Sequence, residues 1–234
     1  MIKLLVTICL VNMIHQGVAQ NIYCNPVIDE SLPDPTVICA EDRNFWLYAT
    51  EDIRNLPIYQ SKDLVNWIFQ GTAFSEKTRP NFVPNGGIWA PDINYINGKY
   101  VLYYSMPIWG GEWSCGIGVA TSESPQGAFD DCGMLFRNNE VGVQNCINPF
   151  YIEEDGKKYL LFGSFHGIYL VELTENGLRI KENVRPLRTA GDAYEDTYIH
   201  NKDGYHYLFA SIERCCEGVH STYTTVVGRA TSLF

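Results

Sequence analysis

Beyond residue 20 the hydrophobic positions fall in short runs closed by Asp, Asn or Gly, and none has the 3.6-residue period of a normal-length helix. Four segments repeat one plan: DPTVICAEDRNFWLYAT (34–50), APDINYINGKYVLYYS (90–105), NPFYIEEDGKKYLLFGS (148–164) and EDTYIHNKDGYHYLFAS (195–211). Each opens on a small polar or Pro-containing step, runs through a short apolar strand and turns on a polar group. A second, aromatic-rich strand follows and closes on Thr or Ser. The turn groups (41–44, Asn97-Gly98, Asp155-Gly156 and Asp203-Gly204) are hairpin chemistry, because Gly and Asn tolerate positive φ. A third strand is predicted after each hairpin, around Ile58-Tyr59, 116–120, 167–171 and 224–228, and SKDLVNW (61–67) leads to a fourth in the first unit.

Repeats of three to four strands at regular intervals predict an all-β fold of propeller blades. A stack of flat sandwiches is the rival, but hairpins with matching opening residues favour radial repetition. About four blades are legible, and the fourth stops soon after its third strand. A ring closes by joining its last blade to its first, so this count predicts either a small four-bladed ring or, as favoured here, a ring that has lost its end and leaves an open edge.

Residues 1–19 are of another kind. Lys3 is the only charge before a short apolar run, and Gly17 and Ala19 place small residues at −3 and −1 of a cleavage point. This is the pattern of a secretory signal peptide, with a retained anchor as the alternative, so an exported chain is expected with the propeller domain over 20–234. No later segment is apolar enough over sufficient length to span a bilayer. Export permits disulfides, and seven cysteines follow the leader: Cys24, Cys39, Cys115, Cys132, Cys146, Cys215 and Cys216. An odd number leaves at least one thiol unpaired within the chain; zinc-ribbon spacing is absent, and Cys215-Cys216 reads as two reduced thiols. The net charge of −10 argues against a nucleic-acid or anionic-membrane partner.

In a propeller the innermost strands converge on the axis, so the blade openings (Asp34, the Pro91-Asp92 step, Asn148 and Glu195) are expected to be neighbours across a funnel. Two carboxylates across a pocket suit glycosidic hydrolysis, one as acid and one as base. The same ring of polar residues serves equally as a hydrogen-bonded cap, and spacing alone leaves both open.

The strings DPTVI, GGIWAPDI, NPFYIEEDGKKYLLFGSFHGIY, AYEDTYI and CCEGVHSTYTTVVGRA resemble glycoside hydrolase family 43, most nearly its arabinan-degrading branch of endo-1,5-α-L-arabinanases and related arabinosidases. The likeness runs from about residue 25 to the last residue. It implies a five-bladed β-propeller, here with about four blades present, and hydrolysis of α-1,5-linked L-arabinofuranosyl bonds in arabinan or arabino-oligosaccharides with inversion. It makes Asp34 the general base and Glu195 the general acid. The family's third acid, an Asp that tunes this acid and orients the sugar, falls at Asn148. An amide carries no charge to keep the acid protonated, so weak or absent turnover is expected. No cofactor is required for the chemistry. The branch commonly holds an axial cation, often calcium, with the help of a fifth-blade His, and nothing up to Phe234 supplies that ligand, so no metal site is assigned; His166 and His200 read as structural. Asp196 departs from the pattern too, adding a carboxylate where a small residue is usual.

Trp89, Trp109 and Trp113 are candidates for sugar stacking, each with core or loop packing as the alternative, and Phe165 and His166 are candidates for the same mouth. Trp46 and Trp67 read as core. Beside the hydrolase stand two other readings: a carbohydrate-binding propeller that no longer cleaves, favoured by Asn148, and an inactive fragment that does not fold stably, favoured by the absent closing blade.

Overall fold

The structure is a computed structural model that describes residues 23–234. The leader assigned to residues 1–19 lies outside the described residues. Among the described residues, four antiparallel sheets follow one another in sequence. The first holds β1 (Thr36–Cys39), β2 (Phe45–Tyr48), β3 (Pro57–Ser61) and β4 (Trp67–Thr72). The second holds β5 (Trp89–Ile96), β6 (Lys99–Ser105), β7 (Gly116–Ser122) and β8 (Asp130–Arg137). After the one-turn helix α1 (Asn138–Val141), the third holds β9 (Phe150–Glu154), β10 (Lys157–Phe162), β11 (Ile168–Glu172) and β12 (Leu187–Ala190). The fourth has three strands: β13 (Glu195–Lys202), β14 (Tyr205–Ile212) and β15 (Thr224–Ala230).

Each sheet is a meander in sequence order, and its first strand packs on the first strand of the next sheet: β1 on β5, β5 on β9, β9 on β13. That is the radial arrangement of propeller blades, here four of them, and it excludes stacked sandwiches. The two-residue turns at Asn97-Gly98, Asp155-Gly156 and Asp203-Gly204 all have positive φ at both positions, the geometry that matches the twist of a tight hairpin.

Most of the core lies between blades; a small cluster of Leu47, Ala49 and Tyr59 belongs to blade 1 alone. Tyr48, Ile58, Phe74, Ile93, Leu102 and Tyr104 fill the space between blades 1 and 2. Val101, Tyr103, Ile117, Phe136, Leu160 and Phe162 fill that between blades 2 and 3, and a smaller cluster around Ile152, Leu161 and Leu170 meets blade 4. A blade with neighbours on both sides buries both faces, which is why β6 is buried at every position after Lys99. Blade 4 differs: β15 is exposed except at Val226–half-buried in the strand–and Val227 is 60% exposed.

Polar clasps tie the blades together. Glu51 sits between blades 1 and 2, paired with Arg79 at 2.5 Å and accepting the N–H groups of Asn55 (3.0 Å) and Ile88 (2.8 Å). Burial raises its pKa, but Arg79 and the two N–H groups outweigh that and hold it below the usual range. Asp92 in β5 accepts the N–H of Tyr151 at 2.7 Å, joining blade 2 to blade 3.

Candidate active site

Four residues, one per blade, share an unusual backbone. Asp34 (φ 48°), Ala90 (41°), Asn148 (59°) and Asp196 (55°) all occupy the left-handed region. The residue before each faces the end of the second strand of its own blade. Trp89 pairs with Ser105 and Glu195 with Ser211, while Pro33 accepts from the N–H of Thr50 and Ile147 from that of Gly163. Asp34, Ala90, Asn148 and Asp196 are therefore equivalent positions around the axis. This corrects the expected alignment, which gave blade 2 the Pro91-Asp92 step and blade 4 Glu195. Register shifts between Trp89 and Asp92 and between Glu195 and Tyr198 displace the side chains, and an inserted bulge residue is invisible to motif matching.

The Thr or Ser that closes each hairpin now has a purpose. Thr50 Oγ1 donates to Asp34 Oδ2 at 2.5 Å and accepts the N–H of Ala90 at 2.7 Å. Ser105 Oγ accepts the N–H of Asn148 at 2.8 Å. Ser164 Oγ donates to Glu195 Oε1 at 2.7 Å and is itself held by Asn145 Nδ2 at 2.8 Å. The Tyr223 hydroxyl donates to Glu195 Oε2 at 2.8 Å and reaches Asp196 Oδ2 at 3.5 Å. The second strand of one blade thus orients the opening residue of its own or the next blade.

These groups border a cavity of about 730 Å³, whose lining includes Asp34, Trp89, Trp109, Phe165, Glu195 and Tyr223. The indole rings of Trp89 and Trp109 lie 5.7 Å apart at 59°, and Trp109 is 71% exposed. Five carboxyl groups (Asp34, Asp52, Glu112, Glu195 and Asp196) and no Lys or Arg line the cavity, so it disfavours an anionic ligand. Asp34 opens onto this space, yet atoms crowd its carboxyl: burial raises its pKa, Thr50 opposes the rise and Asp52 adds to it. The pKa of Asp196 is pushed up to about 7, first by desolvation and then by the charges of Asp34 and Glu195; Tyr223 and the Asn148 side chain partly oppose this. Asn148 itself is buried.

Of the side chains expected at the mouth, Trp89, Trp109 and Phe165 line the cavity, and Trp113 and His166 do not. Trp113 lies in the same Gly-rich loop as Trp109 but outside the lining, 55% exposed. His166 turns to Glu112, with Nε2 3.2 Å from Oε2. Tyr223 was not anticipated as a site residue, although it stands in the CCEGVHSTYTTVVGRA string. Calcium takes six to eight oxygen ligands. Among the described residues no group of three or more His, Cys, Asp or Glu side chains is arranged to hold a metal, and the axial ring offers two carboxyls, one amide and the methyl of Ala90. These residues do not fit such an ion, and no step below uses one.

The chain is 36% identical over 217 residues to an extracellular endo-α-(1→5)-L-arabinanase of Bacillus subtilis, covering 88% of this chain and 67% of that one. It is 33% identical over 225 residues to an extracellular exo-α-(1→5)-L-arabinofuranosidase of Cellvibrio japonicus, covering 84% of this chain and 63% of the relative. The chain thus spans about two thirds of the length of these relatives. The solved structure of a Cellvibrio cellulosa α-L-arabinanase complexed with arabinohexaose superposes with a TM-score of 0.76 at 30% identity, over 87% of this chain and 71% of the other. The family model for glycosyl hydrolases family 43 matches residues 23–234, every residue described, and the chain belongs to that family.

Proposed function

We propose that this chain hydrolyses α-1,5-linked L-arabinofuranosyl bonds in arabinan or arabino-oligosaccharides, with inversion, using Asp34 as general base and Glu195 as general acid. The observation that carries this reading is one cavity presenting Asp34 from blade 1 and Glu195 from blade 4 beside the Trp89–Trp109 pair. An ionised Asp34 takes a proton from a water molecule as that water attacks the anomeric carbon. Glu195 gives its proton to the departing glycosidic oxygen as the C–O bond breaks, and the water oxygen ends on the opposite face of the sugar. Thr50 orients the base; Ser164 and Tyr223 orient the acid. The indole faces of Trp89 and Trp109 pack on the apolar faces of sugar rings. A cavity lined by carboxyls alone among charged groups suits a neutral pentose polymer over one bearing uronic acids.

Export through a cleaved leader over residues 1–19 belongs to the same reading, supported by the leader pattern and by relatives named as extracellular. Asn148 in place of a carboxylate favours a second reading, a propeller that binds arabinan without cleaving it. Linear arabinan separates the two. The hydrolase releases reducing ends, and Glu195→Gln lowers that rate by about 10²–10⁴-fold. A chain retarded in an arabinan affinity gel that shortens no polymer supports the binding reading instead.

A further inference from the structure

We infer that Asp196 supplies the third carboxylate of this active site, moved one blade around the ring from the position that Asn148 occupies. The inference rests on the hydrolase reading above and deepens it. Its basis is positional: Asp196 stands in blade 4 where Asn148 stands in blade 3 and Asp34 in blade 1, with the same left-handed backbone at each. The ring therefore carries carboxyl, methyl, amide and carboxyl in order of blades, and its second carboxyl directly follows the proposed acid in sequence. Asp is among the few residues other than Gly that adopt this conformation readily.

The surroundings make Asp196 a neighbour of Glu195 in space as well as in sequence. One hydroxyl, that of Tyr223, reaches Glu195 Oε2 at 2.8 Å and Asp196 Oδ2 at 3.5 Å. Blade 1 presents Asp34 to Asp196 and blade 3 presents the Asn148 amide. Blade 4 itself presents Glu195, and the loop ahead of β15 presents Tyr223. No Lys or Arg lines either of the two cavities that meet at the ring. A half-buried carboxyl with two acidic neighbours and no cation costs stability, so a structural role gives no account of it.

Two carboxyls grouped around one hydroxyl disfavour each other's ionisation. A general acid must keep its proton until the bond breaks, and a neighbouring carboxylate is suited to that task. Asn148 lines the same cavity as Asp196 and adds no charge to it. Asp196 is on this account a positioning residue acting through Glu195. The reason given above for expecting weak turnover, an amide at residue 148, then no longer holds.

Asp196→Asn is the variant of choice, because Asn keeps the left-handed backbone and the size of the side chain. The pH dependence of kcat/KM on linear arabinan is compared for the unaltered chain, Asp196→Asn, Asn148→Asp and the double variant. Asp196→Asn should move the alkaline limb down by about one pH unit, so that rates above it fall about tenfold, with KM little changed. The double variant should recover the limb, and Asn148→Asp alone should gain little. A profile unmoved by Asp196→Asn, or a tenfold gain from Asn148→Asp alone, overturns the inference. A second readout needs no activity: by carboxyl-labelled NMR, Asp196 should titrate near neutral pH, and at lower pH in Glu195→Gln. An unchanged midpoint overturns the inference even in an active enzyme. Absence of cleavage at every pH, with the Asp196–Glu195 coupling intact, overturns instead the hydrolase reading and with it any catalytic role for the pair.

Discussion

Asp196 carries the sharpest consequence for single residues. Desolvation and the charges of Asp34 and Glu195 push its pKa up to about 7 from the ordinary 3.8, so the folded state holds the proton more tightly than the unfolded state. The stability this proton confers is complete below pH 4 and is lost as pH rises through 7. Asp196→Asn should therefore melt higher than the unaltered chain at pH 8, on the order of 5 °C, and the gap should close toward pH 4. Calorimetric scans across that range check it; a variant no more stable at pH 8 than at pH 4, relative to the parent, contradicts the assigned environment. Legibility at this scale was uneven. The strings around Asp34 and Glu195 mark both positions, but Tyr223 reaches Glu195 across 28 residues through a loop whose path no local pattern reveals. Trp109 and Trp113 lie four positions apart in one Gly-rich loop with equal claims from sequence, and only the loop's turn at Gly110 (φ 71°) and beyond separates the ring that joins Trp89 from the one that does not.

At the scale of elements, the hairpins were plain because their turns need particular residues, and Asn-Gly or Asp-Gly supplies them. The third strands were found for the same reason: each is apolar and follows at a short interval. The fourth strands β8 and β12 escaped notice, since both are edge strands with few buried positions and no clean alternation. The step from β10 into the site is the most constrained joint. Gly163 has φ +130°, and a Cβ there would lie 2.2 Å from the carbonyl oxygen of Gly167, a backbone atom that cannot move aside cheaply. The next residue, Ser164, holds Glu195. Gly163→Ala should cost about 2 kcal/mol or more of stability and lower turnover by releasing the proposed acid, Glu195, from its donor. Chemical denaturation beside an activity assay tests both effects, and an alanine variant with parental stability would show that the joint is slack.

For the whole molecule, burial declines from the middle of the ring to its edges. Blades 2 and 3 lie between neighbours and bury almost every aliphatic side chain of β6, β7 and β10, whereas β1 alternates half-buried with exposed and β15 is largely exposed. A cavity of about 660 Å³ opens between Val37 of blade 1 and Ile199 and Phe209 of blade 4. Hydrogen exchange should follow this gradient, with amides of β14 and β15 exchanging orders of magnitude faster than those of β6 and β7; uniform protection across all four blades would contradict it. Radial repetition and the number of blades were readable because each blade repeats one plan. The gradient was not, because it depends on which blades have neighbours. The proposed acid Glu195 and base Asp34 belong to blades 4 and 1, so the proposed chemistry depends on the less buried part of the ring. The most direct measurement of the account is proton NMR of linear α-1,5-arabinan during the first minutes with the purified chain. New reducing ends appearing first as the β-anomer, and not appearing with Asp34→Asn or Glu195→Gln, are the predicted result. First appearance of the α-anomer, or undiminished cleavage by either variant, contradicts the assignment of Asp34 and Glu195 as an inverting base and acid.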